Sequence, residues 1–205
     1  MLFASSIAVA VLALVQACAY ALAVKRKRGS PALSTWITWF VGTSMSVITY
    51  LLAKQGGFLS GIRILTDPFV VLIVLTSVLL WGDKTLRFRR FEKWYLLAYG
   101  AVALYGLISG DAFQSNLYSQ GLIALGYIPT YHKLIKEKRN TEPYTAWILN
   151  SIPVLISFLP AIAGHDPLAL VYASRSCLQT FLMLALMLYY DRRTRREKAP
   201  TSAHP

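Results

Sequence analysis

Two charged residues inside apolar stretches are the side chains of this 205-residue chain best suited to binding chemistry. Asp67 and Arg175 each lie within a hydrophobic run, 108 positions apart. An internal repeat has an offset of 111 residues, which becomes 108 near the ends of the third helix of each unit, so the two residues occupy equivalent positions. An arginine at the centre of a bilayer costs roughly 2.5–3.5 kcal/mol to insert, so it should face the protein interior and have a partner. We therefore predict that Asp67 and Arg175 pair across the axis relating the repeats and line a substrate site. The other interpretations are that Arg175 extends outward to the membrane interface or that the pair is a purely structural clamp.

Polar side chains in other apolar stretches extend this candidate site. Asn150 needs hydrogen-bond partners in hydrocarbon, and its equivalent in the first repeat is Trp39. Asn116 and Gln120 are four residues apart and share one helix face. Helix–helix bonding for Asn150, and simple solvation for the other two, are the alternatives. The predicted substrate-binding residues are Asp67, Arg175, Asn150, Asn116, Gln120, Trp39, Ser46 and Ser157.

Prolines mark candidate hinges. Pro129, Pro153 and Pro160 all interrupt apolar stretches. A proline inside a helix removes a hydrogen bond and kinks the helix, and broken helices are tolerated where they line a cavity. The three prolines are therefore predicted hinges, with ordinary packing kinks as the alternative.

The chain carries none of the usual catalytic or metal-binding patterns. It has two cysteines and three scattered histidines, and it lacks CxxC, GxGxxG, Walker and GxSxG motifs. No paired carboxylates or histidine cluster appear at membrane depth. We therefore expect no enzyme activity, no metal and no cofactor.

The elements that must position these residues are membrane helices. Hydrophobic residues make up 56% of the chain and charged residues only 15%, against roughly 25% charged in soluble domains. The charges leave apolar windows of about 20 residues, enough to cross a bilayer of about 30 Å. We predict an all-α membrane protein with seven transmembrane helices. The windows are 2–24, 34–53, 61–82, 94–110, 113–134, 144–164 and 167–190.

The distribution of positive charge predicts the orientation. Of the 21 lysines and arginines, 18 follow the first, third, fifth and seventh windows, whereas only Lys54 and Arg63 lie on the opposite side. The positive-inside rule then places the N-terminus outside and the C-terminus in the cytoplasm, in the inner (plasma) membrane. Topology and anionic lipid headgroups account for the net charge of +12, so no nucleic-acid partner is expected.

An internal repeat divides the chain. Residues 27–37 align with 138–148 without a gap, and each segment ends in a tryptophan, Trp36 or Trp147, that we interpret as an interfacial anchor. The repeat predicts a three-helix unit over 1–90, a linker helix over 91–111, a second three-helix unit over 112–192 and a disordered cytoplasmic tail over 193–205. A single linker helix makes the two bundles parallel, an architecture known among transporters.

These features resemble the SWEET / PQ-loop superfamily. The two basic turns and the stretch from Gly126 to Thr130 carry the resemblance, with Thr130 where the motif has glutamine. Vitamin-uptake transporters of the Pnu type share the 3+1+3 plan. The resemblance implies alternating-access transport of a small polar metabolite such as a sugar, amino acid or vitamin. Because no ATP-binding motif is present, transport would be facilitated or ion-coupled. A non-transporting receptor or assembly factor on the same scaffold is the alternative, and a homo-oligomer is left open.

Overall fold

The computed structural model describes residues 1–28, 31, 33–54, 56–82, 90–138 and 140–198. Within these ranges all regular structure is helical, which confirms the predicted all-α class. The helical segments are α1 (Leu2–Lys25), α2 (Leu33–Ala53), α3 (Ile62–Trp81), α4 (Arg90–Ser109), α5 (Ala112–Leu125), α6 (Ile128–Glu137), α7 (Tyr144–Ile156), α8 (Phe158–Ala163) and α9 (Pro167–Lys198).

Two of the breaks between segments are local interruptions of one longer helix. Gly126, between α5 and α6, and Ser157, between α7 and α8, keep right-handed helical backbone angles. The segments therefore form seven helices, as the apolar windows predict.

Prolines explain where these interruptions fall. A proline cannot donate to the carbonyl four residues earlier. For Pro129 that carbonyl belongs to Leu125, the last residue of α5, and for Pro160 it belongs to Ile156, the last residue of α7. Only the backbone of Pro129 is described, and its side chain lies outside the described part of the chain. Pro153 lies inside α7 without interrupting it.

In the described part of the chain, five helices are long and apolar enough to cross a membrane. They cover Leu2–Lys25, Thr35–Ala53, Ile62–Trp81, Tyr144–Ala163 and Pro167–Thr194. Large apolar side chains point away from the protein, among them Leu107 and Leu178, which are 82% and 71% exposed. Contact with lipid accounts for such exposure, because hydrocarbon chains solvate these groups as well as a protein core does.

The helices pack around a shared interior. Helix α1 lies against α3 and α7, and α2 lies against α3 and α5. Helix α9 contacts α7, α5 and α8, whereas α4 packs on the outside of α2 and α5. The small residues Ala13 and Ala17 are fully buried in the main core cluster, and small residues allow membrane helices to approach closely.

One predicted boundary is wrong. The last helix continues to Lys198, so residues 193–198 of the predicted disordered tail are helical. The tail beyond them, 199–205, lies outside the described residues. The first basic turn also falls partly outside, at positions 29, 30 and 32.

Candidate functional site

A cavity opens between α1, α2, α3, α5, α7 and α9. Its empty volume is about 580 Å³, counting the part open to solvent. One part of its wall is charged and polar. The polar lining residues are Gln16, Thr43, Arg63, Asp67, Asn150, Arg175, Ser176 and Thr180.

The charged wall begins with an ion pair on α3. Arg63 and Asp67 are one helical turn apart, so their side chains share a face. The Arg63 Nη2 atom lies 3.5 Å from the Asp67 Oδ1 atom, and both side chains are largely buried. Asp67 also accepts a hydrogen bond from the Tyr172 hydroxyl on α9. The carboxylate is thus held from two helices.

The same arginine connects α3 to the second half of the chain. Its Nη2 donates to the Asn150 Oδ1 atom at 3.0 Å. The Asn150 Nδ2 atom then donates to the Thr180 Oγ1 atom at 3.0 Å. Arg63, Asn150 and Thr180 therefore link α3, α7 and α9 by direct hydrogen bonds. Asn150 lines the cavity and also forms hydrogen bonds between helices. The cavity-lining position and the helix–helix bond therefore occur together.

Arg175 lines the cavity as predicted, but the predicted direct pairing with Asp67 is wrong. No ion pair joins the two residues, both of which are described. Instead Arg175 donates from Nε to the Gln120 Oε1 atom at 2.9 Å and from Nη1 to the Gln179 Oε1 atom at 2.7 Å. Its guanidinium carbon lies 4.5 Å from the centre of the Tyr172 ring. Tyr172 thus contacts both charged groups. Asp67 pairs with Arg63 on its own helix.

The predicted polar residues on α5 lie behind the cavity wall and support it. The Gln120 Nε2 atom donates to the Ser46 Oγ atom at 2.7 Å. Asn116 Nδ2 donates to the Ser46 carbonyl at 2.7 Å and to the Thr49 Oγ1 atom at 2.9 Å. All four side chains are buried. This network joins α2 to α5 and orients Gln120 toward Arg175, so the solvation alternative for Asn116 and Gln120 is wrong.

Of the two remaining predicted site residues, one lines the cavity and one does not. Trp39 lines the cavity. Ser157 does not, because its hydroxyl donates to the Val154 carbonyl of its own helix at 2.6 Å. Arg63, Tyr172 and Thr180 also belong to the site and are not among the residues predicted from the sequence. Arg63 had a signal, since a cation four residues before an apolar-run aspartate is a standard helical ion-pair spacing.

The other part of the wall is aromatic. Ring centres are 5.0 Å apart for Tyr20 and Trp36, 4.9 Å for Trp36 and Trp39, and 4.6 Å for Trp39 and Tyr127. Trp147 approaches Tyr127 at 6.1 Å. We call Tyr20, Trp36, Trp39, Tyr127 and Trp147 the aromatic wall. Trp36 and Trp147 are buried, so their interpretation as interfacial anchors is wrong.

A buried carboxylate contacts two aromatic residues of the cavity wall near the start of α7. Glu142 lies between α6 and α7, accepts from the Tyr20 hydroxyl at 2.5 Å, and accepts from the Trp147 Nε1 atom at 3.4 Å. Burial raises the pKa of the Glu142 carboxyl, and the two hydrogen bonds only partly offset this. We call these three residues the Glu142 cluster.

A second buried carboxylate lies at the opposite end of the helix bundle. Asp166 accepts from the Tyr50 hydroxyl, from the Ser60 Oγ atom at 2.7 Å and from the Ala169 backbone N–H at 3.0 Å. Asp166 is fully buried. The last bond caps the first turn of α9. We call Asp166, Tyr50 and Ser60 the Asp166 cluster.

Several buried polar atoms of the cavity wall have no protein partner among the described residues. They are Arg63 Nε and Nη1, Arg175 Nη2, Trp39 Nε1 and Gln16 Oε1. A buried polar atom without a partner costs about 1–3 kcal/mol. The concentration of these atoms around one cavity is typical of a binding site.

Metal binding has no support in the described part of the chain, where no group of three or more histidine, cysteine, aspartate or glutamate residues is placed to hold an ion. Comparison with protein-family models, with curated proteins and with solved structures gives no significant match.

Proposed function

We propose that this protein is a seven-helix membrane transporter that moves a small polar metabolite by alternating access. The moving parts would be two parallel three-helix bundles, α1–α3 and α5–α9, with α4 as the linker helix. This is the 3+1+3 plan of SWEET-like proteins.

The observation that carries the proposal is the position of the cavity. Its walls come from both proposed bundles, with Arg63 and Asp67 on α3 and Asn150 and Arg175 on α7 and α9. A different buried carboxylate cluster lies toward each end of the bundle. Alternating access requires a central site with a separate closure on each side.

The helix packing agrees with a twofold relation between the bundles. If a twofold axis relates the two bundles, α1 corresponds to α5, α2 to α7 and α3 to α9. The contact between α1 and α7 then corresponds to the contact between α5 and α2, and both contacts are present. The α1–α3 and α2–α3 contacts likewise correspond to α5–α9 and α7–α9. Such exchange symmetry is expected of parallel repeats about an axis along the membrane normal.

The proposal places the protein in the inner (plasma) membrane with its N-terminus outside and its C-terminus in the cytoplasm. The basic turns follow α1, α3 and α6 and the end of α9 is also basic, which supports this orientation. The Glu142 cluster would then be the cytoplasmic closure and the Asp166 cluster the outer closure.

Accessibility of the cavity from the two sides tests the proposal without knowledge of the substrate. Ser176 lines the cavity and would be replaced by cysteine after Cys18→Ala and Cys177→Ala. The protein would be placed in oriented proteoliposomes and treated with a membrane-impermeant thiol reagent from either side. A transporter should be labelled from both sides. A cysteine at lipid-facing Leu178 is the matched control and should resist labelling.

Weakening each closure should bias the labelling. Tyr20→Phe removes one donor to Glu142 and should favour labelling from the cytoplasmic side. Tyr50→Phe removes one donor to Asp166 and should favour labelling from outside. If every variant is labelled from one side only, transport is rejected and a one-sided receptor on the same scaffold becomes the better explanation.

A further inference from the structure

The balance of charge in the cavity is positive. Its wall contains two guanidinium groups, Arg63 and Arg175, and one carboxylate, Asp67. Asp67 is already neutralised by Arg63 at 3.5 Å and by the Tyr172 hydroxyl. Arg175 has only neutral partners, the amide oxygens of two glutamines and an aromatic ring. One positive charge in a poorly solvated site is thus left without a counter-charge.

The unpaired hydrogen-bonding atoms are also mostly donors. Arg63 offers Nε and Nη1, Arg175 offers Nη2 and Trp39 offers Nε1, whereas Gln16 Oε1 is the one unpaired acceptor among the described cavity residues. A ligand that satisfies this set must be rich in acceptors. A neutral polyol would leave the Arg175 charge uncompensated.

The orientation of Arg175 is held in advance of binding. Gln120 and Gln179 accept from Nε and Nη1, and Gln120 is itself held by Ser46 and Asn116. The guanidinium plane is therefore fixed, and its Nη2 atom is buried without a protein partner in the described part of the chain. Groups held in this way lose little freedom on binding, which favours affinity for planar oxyanions.

The aromatic wall faces the same cavity as the charged wall. Trp39 belongs to both, because its ring packs on Trp36 and Tyr127 while its Nε1 atom is an unpaired donor. A ring or short apolar body attached to the oxyanion would pack on these faces.

From these observations we infer that the cavity binds a small organic anion, with a carboxylate or phosphate group on Arg175 and Arg63 and an apolar body on the aromatic wall. The inference rests on the proposed function for its role as cargo, but the binding itself does not depend on transport.

Pairs of probes that differ in charge and not in shape test the inference on the purified full-length protein. Benzoate and benzamide form the main pair, and phenyl phosphate distinguishes a phosphate group from a carboxylate. Inorganic phosphate, which lacks an apolar body, tests the contribution of that body. Glucose, which is uncharged, tests the contribution of the charge. Three of the five tryptophans line the cavity, so fluorescence reports occupancy, and thermal stabilisation provides a second readout.

We expect saturable binding of benzoate or phenyl phosphate, and binding of benzamide weaker by at least about tenfold, because a charge-assisted contact to the guanidinium is lost. Glucose should bind no better than benzamide. Inorganic phosphate should bind more weakly than phenyl phosphate. Equal binding of benzoate and benzamide, preference for glucose, or the absence of saturable binding by every anion would overturn the inference.

Variants of Arg175 identify the contact. Arg175→Gln should weaken benzoate binding at least about tenfold and benzamide binding by less, because only benzoate loses a charge-assisted contact. Arg175→Lys should recover only part of the loss because it lacks the planar fork. Benzoate binding at the wild-type affinity in folded Arg175→Gln would contradict the assignment. If Arg175→Gln does not fold, the comparison of the probes on the wild-type protein still decides.

The outcomes for binding and for transport are separable. Anion-selective binding with one-sided thiol labelling would keep the inference and reject the transporter. Two-sided labelling with a preference for neutral probes would keep the transporter and reject the inference.

Discussion

The choice of partner by Asp67 is the feature of the site that a double-mutant cycle tests most directly. At the 3.5 Å separation of Arg63 Nη2 and Asp67 Oδ1, an effective dielectric constant of about 20 corresponds to a Coulomb energy of about 5 kcal/mol. Arg175 contacts the Tyr172 ring and forms no ion pair with Asp67, both charged residues being described. The Coulomb energy falls in inverse proportion to the distance between the charges, so it is smaller for Arg175 than for Arg63. Water in the cavity lowers both energies, and the expected coupling is about 2–3 kcal/mol for Arg63 and about 1 kcal/mol for Arg175.

The measurement needs Asp67→Asn combined in turn with Arg63→Gln and with Arg175→Gln. Unfolding in mixed micelles, followed by tryptophan fluorescence, would give the free energy of unfolding of each single and double variant. The coupling is the departure of the double variant from the sum of the single variants. The two cycles share the Asp67 variant, so each is the control for the other.

A specific result would refute this reasoning. If the coupling of Asp67 to Arg175 equals or exceeds its coupling to Arg63, the carboxylate is paired across the repeats, and the arrangement on α3 is wrong. Losses of about 3–5 kcal/mol are expected for the single Arg63→Gln change, since it leaves a buried carboxylate without its cation.

The remaining predictions concern the two closures and the helix breaks. Asp166→Ala should lower the unfolding free energy by about 2–4 kcal/mol, since it removes three hydrogen bonds from a buried carboxylate. Asp111→Ala, at the exposed cap of α5, should cost about 1 kcal/mol, and equal losses would contradict the burial argument. The folded state raises the pKa of Glu142 above its ordinary 4.5. The free energy of unfolding should therefore fall as pH rises from about 4.5 through the raised pKa. Glu142→Gln should abolish that slope in a pH series of unfolding measurements. Pro160→Ala restores a donor to the carbonyl that ends α7 and should slow thiol labelling of a cysteine at position 176. Pro153→Ala, inside α7, should slow this labelling less. The reverse order would reject the break at Ser157 as a hinge.

The amino-acid sequence by itself determined the helical class and the approximate helix ends. These follow from local properties, because a long apolar run satisfies its backbone hydrogen bonds only as a helix. The same holds for the interruptions after Leu125 and Ile156, which each lie four residues before a proline. The repeat spacing also identified Asp67 and Arg175 as residues that line one cavity.

Only the tertiary structure decided which groups meet. Arg63 was counted with the outer cations, although the rotation of α3 about its axis turns it inward against Asp67 and Asn150. Removing it from the outer side leaves Lys54 there, so the charge asymmetry is unchanged. Glu142 lies in a basic turn and nothing in that turn predicts its contact with Tyr20. Such pairings depend on how each helix is rotated and placed against its neighbours, and hydropathy along a chain does not contain that rotation.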